Sequence, residues 1–245
     1  MEKDHVIAID GPSASGKSTV ARKVAAALDW LYVDSGALYR AVAWRVIQAG
    51  IEPSDQDKVA EHARGIDAHF FVEAGAVLFE MAGERPGEAL RRETVNMAVS
   101  PVAANPVVRE LVTSWLRGMR DLGNLVMEGR DIGSVVFPDA AFKFYLDASP
   151  EERARRRHAE AQEGLSVDAV GASLQRRDQI DSRRMTAPLT VAKDADIVDS
   201  TGMTIDDVVA GILERVSHAF ACGRTHPDTT AATTPELEGL LPDYM

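Results

Sequence analysis

Gly11-Pro12-Ser13-Ala14-Ser15-Gly16-Lys17-Ser18 fills every fixed position of the phosphate loop GxxxxGK[ST]. Its flanks suit the chemistry. Val6-Ile7-Ala8-Ile9 is a short apolar β-rich run, and the stretch from Thr19 to Leu28 carries Val20, Val24, Ala27 and Leu28 at helical spacing. A strand, a glycine turn and a helix start aim backbone N–H groups and the positive end of a helix dipole at one point, where a polyphosphate can sit. Gly11 and Gly16 let the backbone approach the anion without a Cβ in the way. In such a loop Lys17 reaches the terminal phosphates and the Ser18 hydroxyl ligates Mg²⁺. The chain is expected to bind a nucleoside triphosphate.

Charge narrows the partners. The 245 residues carry a net charge of −11, which disfavours nucleic acid and membrane surfaces. Arginine nevertheless outnumbers lysine 21 to 6, and eight arginines lie between Arg153 and Arg184. Their planar forks bind phosphate in two-pronged fashion, so small phosphorylated ligands are expected there, although any one of them could equally belong to a solvated helical face. No segment has the length of a membrane span, the first ten residues lack a basic start and a long apolar run, and a cytoplasmic location is expected. The single cysteine, Cys222, reads as a small apolar side chain near a helix end.

Along the chain, strand and helix patterns alternate. Strands are predicted at about 5–10, 30–33, 125–127, 142–146 and 197–198, and helices at about 19–28, 37–48, 106–121, 150–163, 166–185 and 204–221. Pro101 and Pro106 bracket the start of the 106–121 helix, and Gly164 separates the two before 186. The alternation implies an α/β fold, a phosphate-loop parallel sheet flanked by helices. Short strands at 66–72 and 76–81 around Glu73-Ala74-Gly75 interrupt it as a hairpin. The expected division is a core at 1–61, 101–149 and 187–222, an insertion at 62–100, an arginine-rich helical lid at 150–186 and a tail at 223–245.

Three constellations carry chemistry. Asp34-Ser35-Gly36 with Tyr39-Arg40 closes the second strand, at the ligand edge of an open α/β sheet. Ser35 can cap the following helix, and Arg40, one turn on, can face a phosphate. Glu128-Gly129-Arg130-Asp131-Ile132-Gly133 follows a strand at the same edge, where an Arg–Asp neighbour pair is either a salt bridge on a turn or a ligand contact. Arg177, Asp181 and Arg184, at i, i+4 and i+7, share one helix face and suit a phosphate and a sugar hydroxyl, or else form an intrahelical ladder. Arg153, Arg156 and Arg157 make a second arginine face.

These segments together resemble bacterial cytidylate kinases, of the nucleoside monophosphate kinase group. The likeness rests on IDGPSASGKST at 9–19, VDSGALYR at 33–40, SPVAANPVVRE at 100–110, EGRDIGSVVFPDA at 128–140, SPEERARRR at 149–157, RRDQIDSRR at 176–184 and APL at 187–189. The resemblance implies a core domain, a monophosphate-binding insertion within 62–100 and a mobile lid. It implies that Gly11, Pro12, Ser13, Ala14, Ser15, Gly16, Lys17, Ser18 and Thr19 hold ATP, with Mg²⁺ on Ser18. By the same likeness Ser100, Arg109 and Asp131 read the cytosine base of CMP or dCMP. Ser35, Arg40, Arg130, Arg177, Asp181 and Arg184 surround the acceptor's sugar and phosphate, while Lys17, Arg153, Arg157, Arg177 and Arg184 stabilise the transferring phosphoryl group. Asp34 and Glu128 are candidates to assist Mg²⁺ through water. The tail has no family counterpart, and a monomer is expected.

Two other readings stay open at this level. A related kinase could act on UMP, AMP or a metabolite hydroxyl, with Asp34 as the base that a hydroxyl requires. A nucleotide-switched binding protein such as a GTPase is the alternative from another class, although the guanine-reading segment N-K-x-D is missing.

Overall fold

The computed structural model describes residues 5–160, 166–184 and 186–221. Gly164, Cys222 and the 223–245 tail, on which expectations were placed, lie outside the described residues. Among the described residues, β1 (Val6–Asp10), β2 (Leu31–Asp34), β3 (Ala68–Glu73), β4 (Ala76–Met81), β5 (Leu125–Gly129), β6 (Phe142–Asp147) and β7 (Asp196–Asp199) form one sheet. Its order is β3-β4-β2-β5-β1-β6-β7. Among the described residues six of these strands run parallel, with β1 between β5 and β6, and β3 alone is antiparallel.

β1 shows why the sheet needs helices on both sides. All five of its residues are buried, and successive side chains point to opposite faces. Ile7 and Ile9 join a cluster with Val20 and Val24 of α1 (Lys17–Leu28) and Ile212 and Val216 of α8 (Ile205–Ala221). Val6 and Ala8 join the opposite cluster, with Leu38 and Val42 of α2 (Ser35–Gln48) and Val112 and Leu116 of α5 (Pro106–Gly118). Each large apolar side chain so buried is worth about 1.5–3 kcal/mol against exposure. A continuous apolar run, with no polar alternation, is what two covered faces demand.

The predicted hairpin forms, with Phe70 opposite Phe79 in an antiparallel pair. It also continues the main sheet, because Tyr32 of β2 registers with Ala76 and its amide donates to the Gly75 carbonyl at 2.9 Å. Two helices here were not foreseen, α3 (Gln56–Arg64) and α4 (Glu93–Ala103). α4 runs through Pro101, in its last turn, instead of ending before it. The ring removes only the bond to the carbonyl of Met97, whose residue is 74% exposed. A fresh start follows at Asn105, whose side chain accepts from the Val107 and Val108 amides with Pro106 in the first turn. The two remaining helices are α6 (Pro150–Glu160) and α7 (Val167–Arg183).

Gly11 sits where β1 leaves the sheet, at φ +148°, and a Cβ there would overlap the Leu146 carbonyl oxygen of β6. Gly11→Ala is expected to lose about 3 kcal/mol or more of stability through backbone strain and overpacking, read as a lowered urea midpoint. An unchanged midpoint would show that β6 yields without penalty.

Candidate active site

The phosphate loop closes around Lys17. Gly16 caps α1 in the left-handed region, at φ 93°, and Ala14 is left-handed at φ 61°. Lys17 is buried and folded back on its own loop, donating to the Pro12 carbonyl at 2.7 Å and the Ser15 hydroxyl at 3.3 Å. Burial, and then the Arg130 charge, hold its ammonium well below the usual lysine range, against the pull of Glu128 and Asp10. An anion entering this loop would reverse that balance.

Ser18, next in the chain, donates to Glu128 Oε1 at 2.6 Å. Glu128 ends in the cleft at the carboxyl edge of β5, and its carboxyl is pushed up by burial and then by Asp34. A hydroxyl and two carboxylates that repel one another form a hard-oxygen set whose chemistry fits Mg²⁺. Asp34, and not Ser35, is the cap of α2: Asp34 Oδ1 accepts from the Ala37 amide at 2.9 Å. Ser35 is the first helical residue, and its hydroxyl donates to the Glu128 carbonyl at 2.7 Å, tying α2 to β5. Gly129 permits this approach, since a Cβ there would lie 2.5 Å from the Ser35 hydroxyl.

Across the cleft, Asp131 and Arg109 form a buried ion pair, side chains 4% and 2% exposed. Arg109 also donates to the Ala103 carbonyl at 3.3 Å, and its guanidinium carbon lies 5.1 Å from the centre of the Tyr39 ring. The second Asp131 oxygen is 3.7 Å from Arg184. Removing water from both partners makes the pair weak evidence for stability. It holds a carboxylate in one orientation, which recognition requires.

Arginines of the β5 turn and of α7 complete the cleft. Arg130 reaches Ser13 Oγ at 2.7 Å and Asp181 at 3.2 Å, so the phosphate loop, the β5 turn and α7 meet at one guanidinium. Arg177 is pushed down to about 10 by burial and by the nearby charges of Arg130 and Arg40. Its Nε has no hydrogen-bond partner among the described residues. Cations that crowd like this await an anion.

Ser13, Ala14, Gly16, Lys17, Ser18, Thr19, Ser35, Arg40, Ser100, Arg130, Asp131, Arg157, Arg177, Asp181 and Arg184, all candidates from sequence, line this one cleft. Gly11, Pro12, Ser15 and Arg109 stand behind the lining. So does Arg153, which turns to pair with Asp178 while donating to the Ser13 carbonyl at 3.2 Å. Arg184 does not continue the helical face expected of it. α7 ends at Arg183, and Arg184 is extended, its Nε donating to the Ala187 carbonyl at 2.6 Å. It reaches the cleft because the Leu189 amide, bonded to the Asp181 carbonyl at 2.8 Å, folds the chain back.

Tyr39, placed at the ligand edge from sequence, joins the lining, and sequence reasoning missed Val99 and Leu174 there. It also missed Asp178, whose Oδ1 accepts from the Ser13 amide at 3.2 Å, and Arg156 was left without a role. Arg156 clamps the phosphate loop to the start of the β7–α8 link, donating to the Ser15 carbonyl at 3.2 Å and the Ser200 carbonyl at 2.7 Å. The runs RRDQ and RARRR flagged the region without showing which charges face the loop.

A strand–glycine loop–helix at the carboxyl edge of a parallel sheet, faced by converging arginines, defines a phosphate-loop kinase. The family profile Cytidylate kinase matches residues 7–218. A cytidylate kinase from Pelotomaculum thermopropionicum is 45% identical over 86% of this chain and 95% of its own length. Those from Pediococcus pentosaceus (42%, over 89% and 98%) and Rhodococcus opacus (41%, over 89% and 97%) are similar. The chain belongs to the cytidylate kinase family, whose members are phosphotransferases. An uncharacterized protein from Eubacterium ventriosum, 11% identical, shares the fold alone, at a TM-score of 0.50 over 87% of this chain and 98% of that one. Among the described residues no helix is long and apolar enough to cross a membrane.

The lowered Lys17 sets a protonation test. Its ammonium is disfavoured in the free protein and favoured once phosphate oxygens lie beside it. Triphosphate binding at pH 8 is therefore expected to take up protons, seen by calorimetry in buffers of different ionisation enthalpy, and Lys17→Met should lose that uptake. Identical proton counts for both proteins would contradict it.

Proposed function

We propose that this protein transfers the γ-phosphoryl group of ATP to the phosphate of CMP or dCMP, giving ADP and CDP or dCDP. The observation that carries the reading is the one cleft lined by both the phosphate loop and Asp131, with Arg109 paired to Asp131 from behind. Kinase relatives bearing the name cytidylate kinase support the acceptor. Cytosine's edge offers one amino donor and two acceptors. Asp131 and Ser100 accept from the amine while Arg109, whose Nε is unpartnered among the described residues, donates to the ring acceptors. Uracil presents a carbonyl where cytosine has its amine and would leave Asp131 facing an acceptor, at about 1–3 kcal/mol for each buried group left unpaired.

The acceptor is already an ionised phosphate, so no strong base is needed and catalysis is positioning plus charge neutralisation. Arg40, Arg130 and Arg177 hold the acceptor phosphate, with Asp181 on the sugar and Ser35 at the start of α2. Lys17, Arg157 and Arg184 stabilise the transferring group, and Arg153 joins them on release from Asp178. The loop from Gly11 to Thr19 cradles the donor phosphates. Ser18 would hold Mg²⁺, with Asp34 and Glu128 acting through water. Held there, Mg²⁺ would supply positive charge against the charge that develops on the donor phosphates. Segment 62–100 serves as the monophosphate-binding insertion and 150–186 as a lid that keeps water from competing as acceptor. A monomer working in the cytoplasm fits the acidic chain and its small-molecule cleft.

Coupled ADP release with CMP, dCMP, UMP and AMP in competition tests the assignment. CMP and dCMP are expected to dominate, and a preference for UMP or AMP would refute it. Lys17→Ala is expected to lower kcat by about 100-fold or more, the scale seen when one preorganised donor is removed. Asp131→Ala should raise KM for CMP at least about tenfold while ATP changes little, since one unpaired buried group is worth that much. Equal losses for both substrates would deny Asp131 its base-reading role.

A further inference from the structure

Asp10 is a buried carboxylate for which the proposed chemistry has no use. It ends β1, in register with Gly129 of β5 and Tyr145 of β6, and is 3% exposed. Its two oxygens each accept one amide across the sheet top, Oδ1 from Ile132 and Oδ2 from Gly133, both at 2.8 Å. Those amides open a tight π turn over Ile132–Val136. Such a turn has orphan N–H groups at its start, and aspartate at the cap position is the residue best able to satisfy them.

Asp131 occupies that cap position and does not cap. Its carboxylate faces Arg109 on one side and Arg184 on the other, inside the cleft. We infer that Asp10 is a positioning residue for acceptor recognition: by capping the 132–136 turn from a neighbouring strand, it frees the Asp131 carboxylate to face the nucleotide. Without Asp10, the Ile132 and Gly133 amides lose their acceptors, and Asp131, at the cap position, would turn back onto its own turn and leave the base. The same carboxylate precedes Gly11, so the start of the phosphate loop and the base-reading turn share one anchor.

The inference rests on Asp131 serving the acceptor, and a double-mutant cycle separates the two claims. Kinetics of Asp10→Asn, which keeps the shape and one acceptor oxygen, and of Asp10→Ala are compared with those of Asp131→Ala and the double variant. We expect Asp10→Ala to raise KM for CMP at least tenfold, Asp10→Asn to do so less, and KM for ATP to move less than threefold. On the Asp131→Ala background, Asp10→Ala should add less than twofold. Additive losses, or equal losses for ATP and CMP, overturn the inference. A wild type that phosphorylates another monophosphate overturns the acceptor assignment alone, and the cycle then runs with that monophosphate. If neither Asp10 variant folds, amide hydrogen exchange in the wild type decides: Ile132 and Gly133 should be protected without any nucleotide, and exchange as fast as in open loops refutes the cap.

Discussion

Mutual repulsion among partly buried cations is the constraint on which the site depends. Burial lowers Lys17, Arg177 and Arg184, and in each of them a neighbouring guanidinium is the next cause. Left alone, such a cluster would fly apart or hydrate. It is held by carboxylates placed between the cations: Asp181 between Arg130 and Arg184, Asp131 between Arg109 and Arg184, Asp178 against Arg153. Arg109, Arg130 and Arg153 each meet a carboxylate on a different element, so that part of the cleft is preorganised before any phosphate arrives.

The parallel sheet makes this possible. β1, β2 and β5 run in one direction, so Asp10, Asp34 and Gly129 all end at one edge. Chain segments far apart in sequence are delivered there without needing long loops. α6 and α7 reach the same edge, and Ser13 is the meeting point, its hydroxyl engaged by Arg130, its amide by Asp178 and its carbonyl by Arg153.

Residues that act as a contiguous unit were readable from sequence. The phosphate loop is one, because its function lies in its own backbone and the helix start that follows. The strands were readable as well, since β1 and β5 each open on an apolar run, Val6–Ile9 and Leu125–Met127. α3 and α4 escaped: the first is short and polar, with a 9-residue span, and the second carries a proline. Asp10 carried a signal that could have been used, a charge closing an otherwise apolar strand. A buried charge needs partners, yet nothing in the sequence names Ile132 and Gly133, more than a hundred residues away.

By itself the sequence determined the anion-binding loop, the α/β alternation and the kinship with nucleotide kinases, since these rest on local backbone geometry and side-chain period. Only the tertiary structure decided which charges meet. Arg153 and Arg157 lie one helical turn apart, yet one pairs with Asp178 and the other lines the cleft. Asp131 could have capped its own turn, but Asp10 occupies that role. Charge pairing is a property of distance and burial across the fold, and neither is written in the order of residues.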